Sequence, residues 1–91
     1  MTVQPVGSVA AFIARYAAPP LSDPVAVEIV HGLDEEARLA IDAQALAASE
    51  RRAWLRRERG RDWSVAQLAH VEQRAFVALR RELQRRGVWR P

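Results

Sequence analysis

Apolar positions recur at helical spacing in four segments, which are separated by Pro5, the Pro19 and Pro20 pair, Pro24, Gly32, Gly60 and Gly87. In the first segment Val9, Phe12, Ile13 and Tyr16 share one face behind Ser8, which predicts a short amphipathic helix capped by that serine and ended by the proline pair. The second, "PVAVEIVH", follows Asp23 and stops at Gly32, as a helix with proline in its first position would. The same letters alternate like a strand, with Val25, Val27 and Ile29 β-branched. Helix is favoured, because a lone strand in a helical chain has nothing to pair with unless a second subunit supplies it.

From Asp34 to Arg59 there is no breaker, with acids at the front and arginines crowding the far end, where the helix dipole favours each. This predicts one helix over 34–59, about 39 Å long at 1.5 Å per residue. It would carry Leu39, Ala43, Leu46, Ala47 and Trp54 on one face, with Ala37, Ile41, Ala48 and Leu55 roughly opposite. A helix apolar on two sides must be covered twice. The expectation is therefore a homo-oligomer, a dimer, with Leu39, Ile41, Leu46, Ala48, Trp54 and Leu55 at its interface.

The last helix has the fullest set of end signals. Ser64 with Gln67 forms a capping box, Trp63 can staple onto Leu68, and Gly87 is placed as a left-handed stop with Val88 against Leu83. "GRDW" then makes a tight connection. The expected fold is all-α: a small single-domain helical bundle, built on a long antiparallel helical hairpin (about 34–59 and 64–86) with two short N-terminal helices.

Composition adds three constraints. The chain has 91 residues, 49% hydrophobic, but alanine supplies 17 of them, so the core is thin and self-association is again favoured. It lacks cysteine, which removes disulfides and thiolate chemistry, and it has no apolar run approaching the about 20 residues of a membrane span, so a cytoplasmic protein without a membrane role is expected. Charge is segregated: residues 1–50 hold two arginines and seven acids, residues 51–91 twelve arginines and four acids. Every basic residue is arginine, which suits planar anion contacts and is also what a GC-rich genome produces.

Chemistry-bearing residues are few. Glu72 falls in the centre of the apolar stripe formed by Val65, Leu68, Ala69, Ala75, Phe76, Leu79 and Leu83, where a carboxylate needs a partner. An ion pair with an arginine of a neighbouring helix or subunit is the expected role, with catalysis or metal ligation as the alternative. His31 and His70 lack ligand spacing, and each serine stands near a helix start or break. No enzyme activity, cofactor, metal or small-molecule substrate is expected. The arginines are the remaining candidates. Arg74, Arg81 and Arg85 align opposite the apolar stripe and could reach base edges in a major groove, while Arg56, Arg57, Arg59 and Arg61 could neutralise phosphates. The expected role is non-catalytic DNA binding or regulation, with DNA or an acidic protein surface as partner. The alternative is a helical adaptor or assembly protein with no nucleic-acid role.

Two local patterns bear on this. "WSVAQLA" followed by "ALRRELQRRGVW" resembles the helices of winged helix-turn-helix regulators, but no glycine or turn separates Ala69 from Leu79, which predicts a continuous helix. "VAVEIVHGLDEEARLAIDAQALAAS" resembles the strand and first helix of ribbon-helix-helix repressors, without the glycine turn before a second helix and with Glu28 on the presumed strand. Each covers no more than about a third of the chain, and no functional residue is carried over from either.

Overall fold

The computed structural model describes residues 8–16 and 24–89. They form five α-helices: α1 (Val9–Tyr16), α2 (Pro24–His31), α3 (Glu35–Ala43), α4 (Ala48–Arg59) and α5 (Val65–Arg85). The described residues are 77% helical and contain no strand. The 24–31 segment is therefore helix, and α5 runs unbroken through the interval where a helix-turn-helix would bend. No helix among the described residues is long and apolar enough to cross a membrane.

The helix expected over 34–59 is two helices. After Ala43 the backbone tightens into three-residue turns, with the N–H of Gln44 on the carbonyl of Ile41 at 3.0 Å and that of Leu46 on Ala43 at 3.0 Å. α4 then starts in a new direction. The break is held by side chains: Gln44 Nε2 donates to the Ala40 carbonyl at 3.1 Å, and Arg51 Nε donates to the Leu46 carbonyl at 3.1 Å. Carbonyls left open by the interrupted helix are thereby satisfied.

This turn also explains the two apolar faces. α3 is the central helix and buries Ala37, Leu39, Ala40, Ile41 and Ala43, five of its nine residues. Ala37, Ala40 and Ile41 join the main core with Phe12, Ile29, Val30, Val71, Leu79 and Leu83. Leu39 and Ala43 join a second cluster with Leu55 and Leu68. Redirecting α4 brings Leu55 onto the side of α3 that an unbroken helix would have turned away from it. Leu39, Ile41 and Leu55, expected at a subunit interface, are 5%, 1% and 0% exposed within one chain. Leu46 and Trp54 are half-buried and Ala48 is exposed. Both faces of α3 are thus covered within one chain.

The expected hairpin is altered for the same reason, since α5 lies chiefly along α3 and not along α4. Its ends behave as their residues dictate. Ser64 accepts from the N–H of Gln67 at 3.1 Å while the Gln67 side chain accepts from the N–H of Ser64 at 2.8 Å. At the far end Gly87 takes φ +75°, and the N–H of Val88 returns to the Leu83 carbonyl at 3.1 Å. Asp34 caps α3 through the N–H of Ala37 at 2.9 Å, and Gly60, at φ +67°, ends α4.

Candidate functional site: the arginine-rich surface of α4 and α5

α4 is held by little apolar contact. Leu55 is its one buried residue, and five of its twelve residues are arginine. Polar ties supplement that contact. Arg52 Nε donates to the carbonyl of Trp63 at 3.0 Å, and Arg59 lies over the Trp54 ring, 5.1 Å from its centre, while pairing with Asp42 at 3.5 Å. Asp42 also accepts from the Tyr16 hydroxyl at 2.5 Å, so one carboxylate links α1, α3 and α4. Burial, and then the adjacent Asp42 carboxylate, raise the Tyr16 phenol above its usual value.

Six of the seven arginines singled out in the sequence lie against carboxylates of the same chain. Arg59 pairs with Asp42, Arg61 with Glu35 at 3.1 Å and Arg74 with Glu36 at 3.7 Å, all three reaching back to α3. Arg86, outside that set, pairs with Glu28 of α2 at 3.5 Å. The acidic stretch of residues 28–42 and the basic C-terminal half thus meet within one molecule. The others pair locally: Arg56 with Asp62 at 3.8 Å, Arg57 with Glu58 at 2.9 Å and Arg85 with Glu82. Glu82 also takes Arg86 at 2.8 Å, and these hydrogen bonds, Arg85 first, hold its carboxyl down at about 2. Arg81 is exposed and has no ion pair among the described residues. Arg74, Arg81 and Arg85 share one side of α5, and Arg74 and Arg85 each lie against a carboxylate.

Glu72 resolves as a structural group. Its Oε2 accepts from Gln44 Nε2 at 2.5 Å and lies 3.5 Å from Arg51, with both side chains of that ion pair about four-fifths covered. An arginine of a neighbouring helix was the expected partner. Gln44 was not anticipated, because nothing in residues 44–47 signals that the helix ends there. The Glu72 site thereby pins the α3–α4 turn onto α5. His31 and His70 are both exposed. Among the described residues no group of three histidines and acids is arranged to hold a metal ion.

Beside these pairs α4 and α5 enclose an open groove of about 420 Å³. Ala48, Arg52 and Arg56 line one wall at four-residue spacing, Val65, Leu68, Ala69 and Glu72 line the other, and Ala53 contributes to it. Val65 is 69% exposed, the most exposed of the large apolar side chains among the described residues. Compared with protein-family models, curated proteins and solved structures, the chain matches none, so its chemistry is read from its own residues.

Proposed function

We propose that the chain is a non-catalytic protein-interaction module, an adaptor or assembly component, in preference to a DNA-binding regulator. The pairing of Arg59, Arg61, Arg74 and Arg86 with carboxylates of α2 and α3 carries this reading. Arginines so engaged hold helices together, and a phosphate backbone would have to displace their partners. With Leu39, Ile41 and Leu55 closed inside one chain, the module acts through its outer surface, where α4 offers almost its whole circumference. Duplex DNA is the second reading, favoured by Arg56, Arg57 and Arg85, whose side chains remain 62%, 67% and 69% exposed in pairs that water and salt weaken.

Titrating a fluorescent DNA duplex with the protein at several salt concentrations separates the two. Seven arginines on seven phosphates would give a log affinity against log salt slope of about −6. The interaction reading expects no saturable binding at physiological salt, and a slope near that value would overturn it.

A further inference from the structure

The α4–α5 groove combines two properties that point to one kind of occupant. Its floor is apolar and built of small residues: Ala53, Ala69 and the covered Leu68 lie beside the exposed Val65, so a helix could approach closely enough for side chains to interlock. Its rim on the α4 side is cationic. The hydrogen bond of Arg52 runs to a neutral carbonyl, that of Trp63, so its charge has no carboxylate partner among the described residues. Arg56 meets Asp62 only at 3.8 Å, with side chains 62% and 75% exposed, a contact that a better placed carboxylate can replace. Glu72, the acid on the other wall, is already held by Gln44 and Arg51 and does not compensate the rim.

An anionic polymer would meet the two arginines but leave Val65 and the alanines against charged phosphates. A purely apolar ligand would leave the guanidinium groups unused. An amphipathic helix with carboxylates along the border of its apolar stripe satisfies both, in the manner of helix-in-groove recognition. We infer that the groove between α4 and α5 docks an acidic amphipathic helix of a partner protein, its apolar side on Val65, Leu68 and Ala69 and its carboxylates at Arg52 and Arg56. The inference rests on the interaction-module reading and adds the chemistry of the partner.

The test uses the full chain and two labelled synthetic peptides of equal length, with leucines at helical spacing flanked by glutamate in one and by glutamine in the other, followed by fluorescence anisotropy. The glutamate peptide is expected to bind more tightly. The double variant R52Q/R56Q should weaken it about fivefold and bring it towards the glutamine peptide, as loss of two exposed charge contacts would. Val65→Asp should weaken both peptides about tenfold. This substitution falls in the first turn of α5, where an acid is favoured by the helix dipole, and circular dichroism should show unchanged helicity. Equal affinity for the two peptides, or no binding of either, overturns the acidic-helix assignment while leaving the interaction module to act through another face. A duplex that displaces the glutamate peptide and binds Val65→Asp as tightly as the unaltered chain would make the groove a nucleic-acid site and overturn both readings.

Discussion

Leu55→Ala tests how α4 is attached. Leu55 is fully covered and is the single buried side chain of a twelve-residue helix, packed with Leu39, Ala43 and Leu68 and flanked by Trp54 and Trp63. Truncating a buried leucine costs about 2–5 kcal/mol, depending on how far the surroundings close over the cavity. Two half-buried tryptophans at the edge can settle partly into the space, so a middle value of about 3 kcal/mol is expected. That is a large share of the roughly 5–14 kcal/mol available to a domain of this length. A twelve-residue helix is marginal by itself in water, so the loss should appear first as local opening of 48–59. Hydrogen exchange read by mass spectrometry should then show α4 amides exchanging on the order of 100-fold faster. Urea unfolding gives the total. A cost under about 1 kcal/mol, or α4 exchange left unchanged, would refute the single-anchor account and assign α4 to its ion pairs.

Three further outcomes follow from the fold. Gly87→Ala places a side chain at φ +75° with open space around it, so backbone strain alone should lower stability, by about 1 kcal/mol in urea unfolding. Glu82 has its folded carboxyl at about 2 against an ordinary 4.5, so its contribution is fully present above pH 4.5 and is lost as pH falls towards 2. The difference in melting temperature between the unaltered chain and Glu82→Gln should therefore shrink on acidification over that range, and a gap that widens would contradict the ion-pair origin. Because the apolar faces of α3 and α4 are closed internally, light scattering should give a mass near 10.2 kDa at micromolar concentration, whereas a value twice as large would restore the dimer.

Much of the local structure was legible because it depends on near neighbours. Ser64 and Gln67 are three residues apart, Gly87 and Leu83 four, and Pro24 and Gly32 bound a single short helix; each acts within its own turn. The break at 44–47 was not legible, since no residue there forbids a helix. It exists because Glu72, 28 residues away, holds Gln44, and because Leu55 gains a covered position only if α4 changes direction. The doubled apolar face was a true signal of two surfaces needing cover, both of which the chain meets in part from within. Two surfaces needing cover can be met by a second molecule or by bending the first, and periodicity alone does not distinguish them. The pairing of the arginines was not legible for a related reason. Spacing within α5 showed that Arg74, Arg81 and Arg85 align, but not that Glu36 of α3 would stand beside Arg74.

The position of α3 has a consequence for how the chain matures. Its principal neighbour is α5, the helix that leaves the ribosome last among those described, and Glu36 of α3 and Glu28 of α2 find Arg74 and Arg86 only as that helix emerges. Until then the earlier helices lack the apolar cover of Val71, Ala75, Leu79 and Leu83 and part of their counter-charge. Structure should accordingly arrive late and all at once during synthesis, and nascent fragments ending before Ala75 should remain open to protease.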